Sequence, residues 1–248
     1  MGASHPEELF EAGADRVRYV RRMFGEISGR YDLVNRVMTL GRDQSWRRLA
    51  ARELVRPGDR VVDVGCGTGD LAFACLDAGA DAVIGVDFAR PMLSLAQAKA
   101  ARRTARAGAG RSAWLLADGT RLPLPDASVD AWCSAFVVRN IPDLDAALAE
   151  ARRVLRPQGR LAILEVPRME RGWVRPFARV HFRRVVPLVG RAISGHATAY
   201  RYLPVSVDHF LAPSELTGRL RAAGFRVRAV RMLMLGTVAL HVAERVAE

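Results

Sequence analysis

The sequence predicts an α/β protein built on a doubly wound, Rossmann-like sheet of seven strands. A helical extension is expected before the sheet, a helical insertion before the last helix, and an antiparallel hairpin at the C-terminus. Three observations carry this. Short apolar runs alternate with helical stretches between residues 60 and 166, the pattern of βαβ units and a parallel sheet covered on both faces. The first run stops at a turn of alternating glycines, "VVDVGCGTGDL", Val61 to Leu71. The last two runs, "RVRAV" and "TVALHVA", lie close enough in sequence to pair as a hairpin. With 248 residues, half of them hydrophobic, the chain can bury a full core.

Taken in order, residues 8–54 read as helical, with Val20, Met23, Phe24 and Ile27 at helical spacing. This gives an extension over 1–54 and a main domain over 55–248. In the latter, strand "RVVDVG" leads to helix 69–78, "AVIGVD" to helix 91–103, and "AWLLA" to a loop. Strand "VDAWCSAF" leads to helix 143–155, and "RLAILEV" closes the run. A Pro- and Arg-rich insertion, 167–212, breaks the alternation. It resumes with helix 214–223, where Gly224 stands at the position of a C-terminal cap. A sheet of this kind with a terminal hairpin is the architecture typical of class I methyltransferases; a nicotinamide-binding domain has a sixth parallel strand instead.

Composition narrows the partners. The net charge is +12, which invites a nucleic-acid reading. Lys99, however, is the only lysine among 38 basic residues, and alanine is abundant, so a GC-rich genome explains much of the bias. No nucleic-acid partner is expected. Cys66, Cys75 and Cys133 form an odd set without ligand spacing, so reduced thiols and no metal site are expected. The acidic start, "HPEELFEAGAD", does not read as a signal peptide. No apolar run approaches the ~20 residues of a membrane-spanning helix.

In doubly wound sheets the ligand lies beyond the carboxyl ends of the central strands, where strand order reverses. Gly65, Gly67 and Gly69 fall there, but glycine spacing alone is weak evidence. Charge discriminates better. A pyrophosphate wants free N–H groups and no nearby anion, whereas Asp63 and Asp70 flank this loop. That suits S-adenosylmethionine, whose sulfonium and ammonium groups are cationic. Asp70 also fits a first helical turn as a dipole complement; Asp63 at a strand end is harder to explain structurally. Asp87, ending the second strand, can bind ribose hydroxyls. Asp118 in "ADGTRLPLPDASVDA" is either a turn residue or an acceptor for an adenine amino group, with Gly119 allowing close approach.

Four segments resemble the ubiquinone/menaquinone C-methyltransferase family: "YDLVNRVMTLGRDQSW", "VRNIPD", "RVLRPQGRLAILEV", and "FRRVVPLVGRAISGHATAYRYLPVSVDHF" with "GTVALHVA". Departures include Gln158 for Gly, Pro167 for Ser, Val137 where Gly is common and His196 for Asp. The resemblance implies cofactor contacts at Thr68, Asp87, Asp118, Gly119 and Ala135. The expected cofactor set is therefore Asp63, Gly65, Cys66, Gly67, Thr68, Gly69, Asp87, Phe88, Asp118, Gly119, Ser134 and Ala135.

It further implies methylation of a prenylated quinol ring carbon, demethylmenaquinol first, without metal or covalent intermediate. Arg139 is expected to stabilise the phenolate: ionising a group of pKa ~10 at pH 7 costs about 4 kcal/mol, and one cation at ~4 Å supplies on the order of that. His196 is the candidate proton acceptor, or an exposed loop histidine. Asn140 either orients the substrate hydroxyl or caps the helix beginning near Pro142. Tyr31, Tyr200, Arg201 and Tyr202 are the expected substrate pocket, with packing as the other reading of the aromatics. Residues 168–191 carry seven arginines against Glu170, expected to meet a membrane surface or to cover a pocket as a solvated face. A cytoplasmic protein, peripheral at the inner membrane face and compatible with a homodimer, follows. Competing readings are a methyltransferase for another small aromatic or lipid acceptor, and a non-catalytic cofactor-binding scaffold.

Overall fold

The computed structural model describes residues 13–104, 111–169 and 197–247. Two helices, α1 (Gly13–Met38) and α2 (Arg42–Leu54), lead into β1 (Arg60–Val64). There follow α3 (Asp70–Asp77), β2 (Ala82–Asp87), α4 (Arg90–Thr104), β3 (Arg111–Leu116) and β4 (Val129–Ala135). A 3-10 turn, Val138–Asn140, precedes α5 (Leu144–Val154) and β5 (Leu155–Glu165). The chain finishes with α6 (Ala197–Asp208), α7 (Pro213–Ala222), β6 (Phe225–Leu233), a 3-10 turn at Met234–Gly236 and β7 (Val238–Arg245).

Among the described residues the sheet has seven strands in the order β3-β2-β1-β4-β5-β7-β6. β1 to β5 run parallel, and β7 pairs antiparallel with both β5 and β6. The predicted doubly wound sheet with its terminal hairpin is the observed architecture. Order reverses between β1 and β4, which puts the crevice of the fold above the glycine loop.

Alternation along each strand divides the core in two. Val61, Cys133, Ala162 and Leu240 face α2 and α3 in one cluster. Val62, Trp132, Leu161 and Ile163 face α5 and α7 in the other. Helix α5 shows why its segment docks as it does: Ala147, Leu148, Ala151 and Val154 are all buried on one stripe. A buried leucine of this sort contributes roughly 1.5–3 kcal/mol.

Helix α1 makes a third cluster, of Val20, Met23, Ile27 and Val34 with Tyr202 of α6, and Phe88 packs against it. Tyr202 thus serves packing, with its ring 5.7 Å from that of Tyr19. Tyr200 and Arg201 belong to α6, but their side chains, His196 and most of the arginine-rich stretch 168–191 lie outside the described residues. Arg168, at the start of that stretch, is held by both carboxylate oxygens of Glu215, at 2.7 and 2.8 Å. Among the described residues no helix is long and apolar enough to cross a membrane.

Candidate active site

The first half of the site is the loop after β1. Asp63, at 1% exposure, is buried, and neither carboxylate oxygen has a partner of hydrogen-bonding geometry. Burial pushes its pKa up to about 7, against the smaller lowering effects of the Arg47 charge, the Ala72 amide and the Cys133 thiol. A buried acid left in this state is costly unless a cation or donor meets it. A carboxyl so placed can accept a cationic group of a ligand.

Gly67 has φ +54°, and a Cβ added there would meet nothing within 4 Å, so the loop leaves open space at its apex. Its amide donates to Asp87 Oδ2 at 2.8 Å, and the Ala89 amide donates to Oδ1 at the same distance. Asp87 therefore braces the loop before any ribose is present. Burial raises its pKa, offset in part by the amides of Ala89, Gly67 and Phe88. Cys66 is buried beside Asp63 and Asp87. Burial first, then these two charges, keeps its thiol well above the ordinary value, so the thiol form is favoured.

Several of the expected cofactor residues also have a part within the protein. Ser134 donates its hydroxyl to the Val64 carbonyl at 2.7 Å, cementing β4 to β1. Asp118 is exposed, and Oδ1 accepts from both the amide and hydroxyl of Thr120 at 2.8 Å, the turn reading. Gly119 is required by the protein itself, because a Cβ there would lie 2.7 Å from Val64 Cγ1. Gly65 is likewise pressed by Val137, at 2.4 Å from a built Cβ. The Ala135 side chain sits in the core.

The second half of the site lies beyond β4. Arg139 is buried and paired with Glu165 at the end of β5. Its Nη1 also donates to the Phe136 carbonyl at 2.8 Å and its Nε to Ser206 Oγ of α6 at 3.3 Å. This corrects the expectation of an uncompensated cation: an opposite charge in contact cancels most of the field Arg139 would project. Of the two readings of Asn140, capping is removed. The N-cap of α5 is Asp143, which accepts from the Ala146 amide at 2.9 Å. Asn140 instead sits buried in the 3-10 turn, and among the described residues neither Nδ2 nor Oδ1 has a partner. An orphaned carboxamide in this place is suited to a ligand hydroxyl, which can both donate and accept.

Tyr31 links the halves. Its pKa is raised, first by burial, while Arg47, Asn35 and Arg139 act against it. Arg47 is the residue sequence reasoning missed. It is buried, with its Nε unpartnered, 3.7 Å from Asp43 and with its guanidinium 5.2 Å from the Phe136 ring centroid. Its charge reaches Asp63, Asp70 and Tyr31. An acid and an arginine so placed fit the ammonium and carboxylate of an amino-acid moiety. The only sequence signal was the i,i+4 pair Asp43–Arg47. Glu165 was legible by the rule applied to Asp63 and Asp87, an acid ending a strand.

The comparisons agree with this chemistry. A demethylmenaquinone methyltransferase of Thermus thermophilus is 45% identical over 90% of this chain and 100% of its own length. One of Deinococcus radiodurans is 42% identical over 93% of this chain and 94% of its own. A crystal structure of a SAM-dependent methyltransferase from Aquifex aeolicus shares the fold, with TM-score 0.55 and 23% identity, covering 78% of this chain and 86% of that one. Residues 12–245 match the family described as the ubiE/COQ5 methyltransferase family. A switch-point crevice with an unpaired buried acid, and a match across nearly the whole chain, lead to one conclusion: this chain belongs to that family, and S-adenosylmethionine is its cofactor.

Proposed function

We propose that this chain methylates a ring carbon of a prenylated quinol, with demethylmenaquinol the acceptor that the relatives' names favour. The observation that carries the reading is the orphaned carboxamide of Asn140 beside the buried Arg139–Glu165 pair, at the carboxyl edge of β4 and β5. When bound, the cofactor supplies an electrophilic methyl group on a sulfonium. Asp63 and Arg47 would hold its amino-acid end and Asp87 its ribose.

The acceptor carbon needs the adjacent hydroxyl ionised, at a cost of about 4 kcal/mol for a phenol of pKa ~10 at pH 7. Arg139 meets that cost only to the extent that the phenolate shares or replaces Glu165 in its coordination. Asn140 donates to the same oxygen. His196, immediately before α6, remains the proposed proton acceptor. Holding carbon and methyl in line does the rest.

A polyprenyl tail requires access to a bilayer. Leu40, 81% exposed between α1 and α2, and Leu235, 72% exposed in the β6–β7 turn, support a membrane-facing rim. Both flank the crevice end: Gln44 in the first turn of α2 is bonded to Asp70, and Ala239 of β7 pairs with Glu165. With the arginines of 168–191 they would place the protein on the cytoplasmic face of the membrane.

Purified protein given methyl-labelled S-adenosylmethionine and reduced demethylmenaquinol tests this. Label in the quinone ring is expected. Cofactor binding with no transfer to any quinol would overturn the reading in favour of a scaffold.

A further inference from the structure

Lys99, the only lysine in the chain, lies in α4. Its ammonium reaches three acceptors: Asp32 Oδ2 of α1 at 2.7 Å, Asp70 Oδ1 at 2.6 Å and Thr68 Oγ1 at 2.9 Å. A lysine has three N–H donors, and all three are used. Thr68 accepts from Lys99 and donates its own proton to Asp32 Oδ1 at 2.7 Å. Asp70 Oδ2 is taken by Gln44 of α2 at 2.7 Å. One nitrogen thus joins α4 to α1, to the glycine loop and to the start of α3, which Gln44 in turn ties to α2. Burial works to raise the Asp70 pKa, but the hydrogen bond and charge of Lys99, with Arg47 and Gln44, bring it below its ordinary value.

We propose that Lys99 is a positioning residue for cofactor binding: a three-point pin that fastens α1 to the glycine loop and so fixes the loop's cofactor-binding shape. The loop it grips is the one whose Gly67 amide is braced from the other side by Asp87. Helix α1 lies over the same region, since Phe88, next to Asp87, packs in its cluster, and Gly25 faces Pro91 at the start of α4. Losing the pin frees α1 and the loop together.

The chemistry explains why this residue is a lysine in a chain whose other basic residues are all arginine. Three acceptors converge on one point within 2.6–2.9 Å. A tetrahedral ammonium satisfies that arrangement from a single atom. A guanidinium spreads its donors in a planar fork over three nitrogens and is bulkier, so it cannot aim three donors at that point.

The experiment measures affinity for S-adenosylhomocysteine by calorimetry, with kcat at saturating S-adenosylmethionine and thermal midpoint, in Lys99→Met, Lys99→Arg and Asp32→Asn. Loss of charge-assisted bonds of this kind predicts weakening of about tenfold to a hundredfold in Kd. The Arg variant is expected to rescue little of this, and kcat at saturation to change far less than Kd. The double variant Lys99→Met/Asp32→Asn is expected to be no weaker than the worse single. Wild-type affinity in Lys99→Arg would overturn the three-point geometry. A lowered thermal midpoint with unchanged Kd in Lys99→Met would reduce the residue to a structural one. Should Lys99→Met fail to fold, Asp32→Asn, which keeps the lysine, decides: unchanged Kd overturns the pin. No quinol enters the measurement, so its failure is separate from a failure of the proposed acceptor.

Discussion

Arg139 and Glu165 form a buried ion pair that joins the ends of two adjacent parallel strands, β4 and β5, and reaches α6 through Ser206. The Glu165 carboxylate also accepts from the backbone amides of Arg139 at 3.3 Å and Val166 at 2.8 Å. Its negative charge is therefore solvated by the protein, while the guanidinium has one carboxylate, a carbonyl and the Ser206 hydroxyl. Removing either partner strands the other at a depth where water does not repair it.

Glu165→Gln is expected to destabilise the protein by about 3–5 kcal/mol, the cost of an uncompensated buried charge. Arg139→Ala is expected to leave the cofactor Kd nearly unchanged while lowering kcat by about a hundredfold or more. Urea unfolding and steady-state kinetics check the two halves. A fully active Arg139→Ala would remove the arginine from the chemistry.

Cofactor binding is expected to be proton-linked through Asp63. With its pKa pushed up to about 7, the acid is largely protonated at pH 6 in the free protein. An amino group of pKa near 8 is fully charged at that pH. Docking it against Asp63 drives the carboxyl to ionise, so binding at pH 6 releases close to one proton. Calorimetry in buffers of different ionisation enthalpy measures this. Asp63→Asn is expected to release none and to bind more weakly by about a hundredfold. Tight binding without release at pH 6 would place the ammonium elsewhere.

How far the sequence led is visible at particular residues. The fold was legible because period and glycine punctuation are local signals: "AVIGVD" predicts β2 to the residue, and Gly224 indeed follows α7 with φ +82°. Asp63 and Asp87 were legible because an acid ending a buried apolar strand is costly unless a donor or cation meets it there. Arg47 and Lys99 were not, since their partners come from other elements: Asp70 and Asp32 lie far off in sequence from Lys99, and spacing carries no trace of that meeting. The pairing of Arg139 with Glu165 was hidden for the same reason. Asn140 stayed open between two readings because a cap and a ligand-facing amide look alike until Asp143 is seen to fill the cap.

Gln158 offers a test of backbone cost free of function. It is exposed within β5, where the pairing with β4 is irregular between Leu155 and Arg160, with φ +62°, while Gly159 beside it could not bear a Cβ, which would lie 2.8 Å from the Arg156 carbonyl. A side chain in the left-handed region costs about 1–2 kcal/mol, and the extra freedom of glycine in the unfolded chain returns part of that. Gln158→Gly is expected to stabilise by about 0.5–1 kcal/mol, a rise of roughly 1–4 °C in Tm for a chain of this size. Calorimetric melting checks it. A lower Tm would mean the glutamine side chain makes contacts that outweigh the strain.

His241 gives the fold a dependence on pH separate from the site. It sits at 1% exposure in β7, with Nε2 3.0 Å from the Pro213 carbonyl and Nδ1 without a partner. A carbonyl only accepts, so Nε2 carries the proton and Nδ1 presents a bare lone pair to its apolar surroundings. Burial lowers the pKa, outweighing the Pro213 contact, which raises it. The folded value lies below the unfolded one, so the two states differ in bound protons only once pH falls below about 6.5. Below that the unfolded chain takes up a proton that the native state refuses, and stability drops by at most ~1.4 kcal/mol per pH unit from this residue. His241→Gln keeps an N–H donor and cannot titrate. Urea unfolding of both proteins between pH 7.5 and 5 is therefore expected to show their stability difference shifting in favour of the glutamine variant as pH falls, with all other titrating groups cancelling. A difference that stays constant across that range would mean that His241 is protonated alike in the folded and unfolded chains.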